Sequence, residues 1–394
     1  MTHLSGGVTA TPGVTAAGIA AGLKPSGAPD MALVAAPEVV NAAAVQTRNQ
    51  VTAAPVQVTA RHVADGRARA VLLNAGSANV CTGPDGVATA ERSAELVAEA
   101  LECRAQDVLL CSTGIIGVAI PSEPFLGAIP RLVAQLGPEG GSHAAKAIMT
   151  TDTRPKDAAV RVADGSGACV VGGMAKGSGM IAPEMATMLC VLTTDAPVRG
   201  PVLRATLKDA VTQTFGRISV DDCMSTNDAV IILATGTAES PPSLSAFSEG
   251  LTAVCAQLAE QLVRDGEGAA KLVRIRVTGA RAERDAVGVG RAIASSALVR
   301  TAVAGEDPNW GRVMAAMGAG AVRFDPNRVA ISFGGVTVCR FGVAAAFDRG
   351  LAAAALRRRD VTITVDLGLG AEEATFLTCD LTHDYVTINA EYTT

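Results

Sequence analysis

The hydrophobic residues of this chain follow a helical spacing in some segments and a strand-like alternation in others. The two kinds of segment do not alternate regularly along the chain. Apolar residues recur at helical spacing from Leu244 to Leu262, whereas apolar and polar residues alternate from Leu272 to Thr278, as in a half-buried strand. Helices interrupt the strands in both halves of the sequence, but few alternate with them one by one. This order favours a layered α+β fold over a doubly wound parallel sheet.

Further elements follow from local patterns. Short apolar runs that stop at "NAGSAN" and "CSTG" predict core strands at 71–73 and 108–110, and another apolar run predicts a strand at 188–192. Two helices are predicted at 89–103, with Thr89 as N-cap, and at 201–215, with proline in the first turn. Turn residues predict hairpins through Asp164-Gly165 and Gly334-Gly335, and 361–380 predicts one more pair of strands.

The composition describes the core and excludes several kinds of partner. Of the 394 residues, 49% are hydrophobic and 3% are aromatic, so we expect a largely aliphatic core. The net charge of −5 gives no footprint for nucleic acid, and no segment approaches the roughly 20 apolar residues that cross a membrane. The nine cysteines show no metal-binding spacing, so no metal is expected. Their odd number, without a secretory signal, indicates the cytoplasm.

A hydroxyl stands where a flexible loop enters an apolar strand. The stretch "KGSGMIAPEMATMLCVL" begins at Lys176 with glycine and small residues and becomes apolar after Thr187. A threonine hydroxyl is a weak nucleophile unless a base lies beside it, and the α-amine of an N-terminal threonine is such a base. That amine exists only after the Ala186–Thr187 bond is broken. Taken alone, the position is more typical of a β-branched residue that merely begins a strand.

Two other short motifs offer candidate groups. Thr113 and Gly114 in "CSTGIIG" follow a predicted strand, where a hydroxyl and an open backbone can stabilise an oxyanion. Glu267 in "RDGEGAAK" lies in a loop between a predicted helix and a predicted strand, a common position for ligand contacts. Each motif by itself is more typical of an ordinary glycine turn or a solvated loop acid.

These motifs occur in one order with two more, "DPNWGR" and a C-terminal "INAEYTT". Together with "KGSGMIAPEMATML", the combination resembles the ornithine acetyltransferases, also called glutamate N-acetyltransferases, along the whole chain. The resemblance implies a precursor that cleaves itself between Ala186 and Thr187 into chains 1–186 and 187–394, assembled as a heterotetramer with two copies of each. It also implies two mixed sheets between helical layers, a fold shared with autoproteolytic aminopeptidases and distinct from conventional N-terminal nucleophile hydrolases.

The resemblance also implies roles for individual residues. Thr187 is the implied nucleophile, and Thr113 with Gly114 forms the implied oxyanion hole. The implied substrate-binding residues are Thr150, Lys176, Thr187, Glu267, Asn389 and Thr394. Lys176 suits the α-carboxylate that both substrates carry, and Glu267 suits the ornithine amine.

The implied reaction belongs to arginine biosynthesis in the cytoplasm. The acetyl group passes from N-acetylornithine through an ester on Thr187 to glutamate, which predicts ping-pong kinetics. No cofactor is implied. The sequence does not decide whether acetyl-CoA also serves as an acetyl donor.

Three other interpretations remain open at the level of sequence. A hydrolase on the same scaffold would admit water to the acyl-enzyme, which a transferase must exclude. A paralogue would serve a related acyl acceptor in specialised metabolism. A non-catalytic protein would carry Thr187 by chance and would remain a single uncut chain.

Overall fold

The structure is a computed structural model that describes residues 1–182 and 188–391. Three residues with predicted roles, Ala186, Thr187 and Thr394, therefore lie outside the described residues. The other predicted site residues are all described.

Strands occur along the whole length of the described chain. Their bounds are β1 Thr2–Leu4, β2 Thr15–Ile19, β3 Met31–Gln46, β4 Arg67–Ser77, β5 Val108–Ile115, β6 Lys156–Ala163, β7 Ala168–Lys176, β8 Leu189–Thr194, β9 Ile218–Ser219, β10 Ala229–Ala234, β11 Leu272–Ala280, β12 Ala330–Phe333, β13 Val336–Arg340, β14 Val343–Ala344, β15 Asp360–Asp366 and β16 Glu372–Cys379.

Helices separate many of these strands. Their bounds are α1 Ala54–His62, α2 Gly83–Leu101, α3 Ser122–Ala134, α4 Gly141–Ala147, α5 Gly200–Gln213, α6 Leu244–Arg264, α7 Glu283–Ala294, α8 Ala297–Ala304, α9 Trp310–Ala319, α10 Arg349–Leu356 and α11 His383–Glu391.

The described strands form two mixed sheets. The first has the order β1-β6-β7-β8-β10-β3-β4-β5, with β2 also paired to β3, and the second has the order β14-β13-β12-β15-β11-β16-β9. In the first sheet β4 pairs with β5, and β8 with β10, in parallel, whereas its other pairs are antiparallel. The parallel pair places Leu189 of β8 beside Ala229 of β10. The residues that immediately precede the two strands, Met188 and Asp228, therefore lie next to each other.

Helices cover the sheets and bury aliphatic side chains. Helices α5 and α6 bury residues such as Leu207 and Leu258 with Leu192 and Ile232 of the first sheet. Helices α1 to α3 cover the end of this sheet that β4 and β5 form, where α3 contributes Ile129. Helices α7 to α10 pack on the second sheet in a separate buried cluster. The predicted layered α+β fold with mixed sheets is confirmed.

The structure corrects several predicted boundaries of helices and strands. Helix α2 begins at Gly83, with Pro84 in its first turn, so Thr89 lies inside the helix and is not its N-cap. Strand β5 continues through "CSTG", and strand β4 continues through the first four residues of "NAGSAN", although the sequence indicated both motifs as loops. The predicted strand pair at 361–380 consists of β15 and β16, but both strands pair with β11, which lies between them. Both predicted hairpins are confirmed.

Within the described ranges, no single helix is long and apolar enough to cross a membrane. One helix pair, α7 with α8, has the necessary length and composition together but is bent by 62°.

Candidate functional site

A cavity of about 600 Å³ opens where the ends of several strands meet. Its walls come from the last residues of β4, β5 and β7, from the segments 150–151, 179–180 and 221–227, and from α11. Six of the predicted site residues line this one cavity: Thr113, Gly114, Thr150, Lys176, Glu267 and Asn389. The fold thus collects residues that are up to 276 positions apart in the sequence, from 113 to 389.

Thr113 and Gly114 are positioned by close pairing of two strands. They lie near the end of β5, where Gly114 is in register with Gly76 of the parallel strand β4. Gly114 has φ +130°, and a Cβ atom there would overlap the carbonyl carbon of Gly76. The sequence suggested that this glycine leaves room for a ligand. The structure shows that it also leaves room for the neighbouring strand, a close approach that only glycine permits.

Lys176 is the central cation of the polar end of the cavity. It is the last residue of β7, and only 3% of its side chain is exposed. Its Nζ donates hydrogen bonds to Oγ1 of Thr150 at 2.7 Å and to Oγ1 of Thr113 at 3.3 Å. Burial lowers the pKa of Lys176, and the Asp152 carboxylate, whose Oδ2 lies 3.7 Å from Nζ, opposes that effect.

A network of buried charged side chains, which the sequence analysis missed, lies next to Lys176. Asp152 accepts hydrogen bonds from the backbone N–H of Gly177 at 2.7 Å and from Nζ of Lys156 at 2.6 Å. The same Nζ lies 2.6 Å from Oδ2 of Asp265. Burial raises the pKa of Asp152, but Lys176 and Lys156 outweigh burial and hold it below its ordinary value. The sequence feature that could have indicated this ion pair is the spacing of Asp152 and Lys156, which are four residues apart in "TDTRPK".

Glu267 also lines the cavity. This residue lies in the loop between α6 and β11, as predicted, but it is only 9% exposed and is therefore not a solvated loop acid. Its Oε2 accepts a hydrogen bond from Nδ2 of Asn389 at 2.9 Å, and its backbone N–H donates to Ser178 O at 2.8 Å. A Cβ atom on Gly179 would overlap the Glu267 carboxylate, so the loop that follows Lys176 packs directly against this acid.

Asp221 and Tyr385 add a second acidic group that the sequence analysis did not identify. The two oxygens of Asp221 accept hydrogen bonds from consecutive backbone N–H groups, Met180 at 2.6 Å and Ile181 at 2.8 Å. The Tyr385 hydroxyl donates to Asp221 at 3.4 Å. Burial raises the pKa of Asp221 and also that of Tyr385. The sequence feature that could have indicated this site is the acid pair Asp221-Asp222.

The remaining wall of the cavity is apolar. It is built by Leu23, Pro25, Ile115, Ile116, Val118, Ala119 and Pro121. The cavity therefore suits a small molecule that carries both charged groups and an uncharged, less polar part. Among residues 1–182 and 188–391, no group of three His, Cys, Asp or Glu side chains is arranged to hold a metal ion.

Comparison with known proteins identifies the family. A model of the ArgJ family matches residues 15–394. The arginine biosynthesis bifunctional protein ArgJ of Symbiobacterium thermophilum is 47% identical over 402 residues, with 100% of both chains covered. The protein of the same name from Thermobifida fusca is 48% identical over 393 residues, which covers 98% of this chain and 100% of that protein.

Two solved structures with high sequence identity each match about half of this chain. ArgJ from Bacillus halodurans is 37% identical with a TM-score of 0.49, covering 51% of this chain and 97% of its own. Ornithine acetyltransferase from Mycobacterium tuberculosis, solved in complex with ornithine, is 46% identical with a TM-score of 0.43. The match covers 48% of this chain and 98% of that protein. On the family match and the near-complete coverage by its relatives, this chain belongs to the ArgJ family of bifunctional arginine biosynthesis enzymes.

Proposed function

We propose that this enzyme moves an acetyl group from N-acetylornithine to glutamate through an ester on Thr187. The observation that carries the proposal is the hydrogen-bonded cluster of Lys176, Thr150 and Thr113, which lines the same cavity as Glu267. Membership of a family of bifunctional arginine biosynthesis enzymes supports this choice of substrates.

The polar end of the cavity suits an amino acid. The Lys176 ammonium and the Thr150 hydroxyl offer donors to an α-carboxylate, and a charge-assisted pair of this kind is shorter and stronger than a neutral one. Glu267, with Asn389 hydrogen-bonded to it, offers a carboxylate to the side-chain ammonium of ornithine. Glutamate lacks that ammonium, so we expect it to use the Lys176 end in the same way and the Glu267 end differently.

The reaction consists of two acyl transfers at one carbonyl carbon. The Thr187 hydroxyl attacks the acetyl carbonyl, its proton passes to the α-amine of Thr187, and the oxyanion accepts hydrogen bonds from Thr113 and Gly114. The C–N bond then breaks, and ornithine leaves with the proton. The glutamate amine attacks the acetyl ester and restores the Thr187 hydroxyl, giving N-acetylglutamate.

The proposal requires that the precursor cleaves itself between Ala186 and Thr187. Chains 1–186 and 187–394 result, because the hydroxyl attacks the preceding carbonyl to form an ester that water opens. We further propose that two copies of each chain assemble as a heterotetramer in the cytoplasm. No cofactor takes part in this scheme, and acetyl-CoA is a candidate second donor.

One set of assays tests the proposal. Purified protein should run as two chains, the second beginning Thr-Met-Leu-Cys, while Thr187→Ala should give one uncut, inactive chain. N-acetylornithine and glutamate should yield ornithine and N-acetylglutamate with ping-pong kinetics, and a parallel reaction with acetyl-CoA tests the second donor. Release of free acetate without transfer to glutamate would instead indicate a hydrolase.

A further inference from the structure

Asn227 is a buried amide side chain in the wall of the cavity, and it holds backbone groups of two other segments. It lies two residues before β10 and is only 3% exposed. Its Nδ2 donates hydrogen bonds to the carbonyl oxygens of Ala78 at 2.6 Å and Ser112 at 2.9 Å. Its Oδ1 accepts a hydrogen bond from Oγ1 of Thr226 at 2.6 Å. The amide is therefore oriented on one side and spends its donors on two distant carbonyl groups.

The two carbonyl groups belong to strands that pair with each other but not with β10. Ser112 lies within β5, and Ala78 directly follows β4, whereas β3 separates β10 from β4 in the first sheet. Asn227 thus joins β5 and the end of β4 to a segment with which they form no strand pairing. Both Ala78 and Ser112 are 3% exposed, and a buried carbonyl group without a donor is costly. The contact therefore restrains both strand ends.

The segment that carries Asn227 is itself firmly held. The backbone N–H of Asn227 donates to Oγ of Ser225 at 3.0 Å, and the Ser225 carbonyl oxygen accepts from Oγ1 of Thr47 at 2.6 Å. The Nδ2 of Asn49 donates to the carbonyl oxygen of Met224 at 3.1 Å. Thr47 and Asn49 directly follow β3, so the position of the Asn227 amide is set by the sheet.

The hydrogen bond to Ser112 acts on the predicted oxyanion donors. The Ser112 carbonyl and the Thr113 N–H belong to one planar peptide group, so a donor on that carbonyl fixes the orientation of the chain at Thr113. Gly114 follows with φ +130°. The register with β4 and the anchor on Ser112 together decide where the Thr113 side chain and the Gly114 N–H point.

We propose that Asn227 is a positioning residue that holds Thr113 and Gly114 in place through the carbonyl group of Ser112. The inference rests on the proposed function, in which these two residues stabilise the oxyanion. Because both donors of the Asn227 amide are engaged on backbone carbonyls, the residue is assigned neither substrate binding nor proton transfer. Fixed donors act on the charge that develops in the transition state, so their placement affects turnover more than substrate binding.

The substitution Asn227→Ala removes this anchor. Turnover should fall roughly 10–100-fold, somewhat less than when an oxyanion donor is removed outright. The KM for N-acetylornithine should change less than about threefold, because the contacts of Lys176 and Glu267 remain. A large rise in KM with unchanged kcat would overturn the inference, since it would assign Asn227 to substrate binding.

Combining Asn227→Ala with Thr113→Ala distinguishes positioning from general damage. If Asn227 acts through the oxyanion donors, its loss should lower turnover by a factor at least about threefold smaller in the Thr113→Ala enzyme than in wild type, because the effects of coupled residues are not additive. Equal losses in the two backgrounds would contradict the inference. Asn227→Asp keeps the size of the side chain but gives a carboxylate that cannot donate to either carbonyl. It replaces Asn227→Ala in both measurements if the alanine variant does not fold, and the same outcomes decide.

Asn309→Ala is the matched control. The Asn309 side chain also donates from Nδ2, to Asp307 at 2.9 Å, and accepts at Oδ1 from the Arg312 N–H at 3.2 Å. It is the N-cap of α9, which packs on the second sheet. The substitution should lower the urea midpoint of unfolding and leave turnover unchanged.

A loss of turnover in Asn309→Ala equal to that in Asn227→Ala would refute the inference, because both losses would then reflect stability alone. If wild-type protein itself transfers no acetyl group, the proposed function fails instead. An active wild type with additive losses in the double variant overturns only the role of Asn227.

Discussion

The hydroxyl of Thr113 lies 3.3 Å from Nζ of Lys176, an ammonium group that can donate a hydrogen bond but cannot accept one. The threonine oxygen therefore acts as the acceptor, and its own hydrogen remains free to point at a developing oxyanion. We expect Thr113→Ala to lower turnover by roughly 10²–10³-fold, the usual loss for one such donor. Thr113→Ser should retain most activity because it keeps the hydroxyl. Steady-state assays of cleaved protein decide between these outcomes, and unchanged turnover in Thr113→Ala would remove this hydroxyl from the site.

Glu267 allows the specificity model to be tested separately from the nucleophile. If it pairs with the ornithine ammonium, Glu267→Gln should weaken N-acetylornithine roughly 10–150-fold, the range for a charge-assisted hydrogen bond of about 1.5–3 kcal/mol. N-acetylglutamate as donor should lose much less, because it lacks that ammonium. Measuring kcat and KM with both donors checks this. Equal losses in kcat would assign proton transfer to Glu267, and no loss would exclude it from the site.

At the scale of secondary-structure elements, the register of β4 and β5 decides where the predicted oxyanion donors, Thr113 and Gly114, lie. Gly114 has φ +130° and faces Gly76 with no room for a side chain. Gly114→Ala should therefore lower the free energy of unfolding by about 2–5 kcal/mol, through backbone strain and steric overlap. It should also displace Thr113 and reduce turnover.

Gly127→Ala provides a control for the effect of an added methyl group. Gly127 lies within α3, and nothing lies within 4 Å of the position that its Cβ would occupy. This substitution should leave turnover unchanged and stabilise the protein by up to about 1 kcal/mol, since alanine favours helix. Urea unfolding and activity measured on both variants separate the two cases. Equal stabilities would show that the register of β4 and β5 tolerates a side chain.

At the scale of the whole molecule, Lys156 joins parts of the protein on either side of the proposed cleavage position. It begins β6, and its Nζ lies 2.6 Å from carboxylate oxygens of both Asp152 and Asp265, all three side chains being nearly inaccessible to solvent. Asp265 follows α6, so this contact would hold chains 1–186 and 187–394 together after cleavage. Lys156→Met would leave two buried carboxylates without this cation.

We expect Lys156→Met to lower the free energy of unfolding by about 3–5 kcal/mol, as when one partner of a buried ion pair is removed. Arg61→Ala breaks an exposed pair with Glu91 and should cost at most about 1 kcal/mol.

The pKa of Asp152 is lowered in the folded state, so its contribution to the free energy of unfolding is complete above the ordinary carboxyl pKa. That contribution is lost as the pH falls below about 4. Denaturant titrations at several pH values measure both effects, and equal losses in the two variants would contradict this prediction.

Sequence alone determined the elements whose signals are local. The long amphipathic helix α6, the hairpins of β6 with β7 and of β12 with β13, and the loop position of Glu267 all follow from periodicity and turn residues within short windows. The co-occurring motifs also indicated the family, which the comparisons confirmed. The roles of the site residues remain predictions, and the predicted nucleophile, Thr187, lies outside the described residues.

Only the tertiary structure decided which residues meet. Strand periodicity tells which face a side chain occupies but not which strand becomes its neighbour, so the insertion of β11 between β15 and β16 was not predictable. For the same reason the sequence did not reveal that Asp221 reaches the Met180 amide, or that Asp228 reaches the amide of Met188, 40 residues earlier in the chain. The first contact joins segments that follow strands of different sheets, and the second depends on the pairing of β8 with β10. The buried carboxyl groups next to the cavity are therefore features of the fold and not of any local motif.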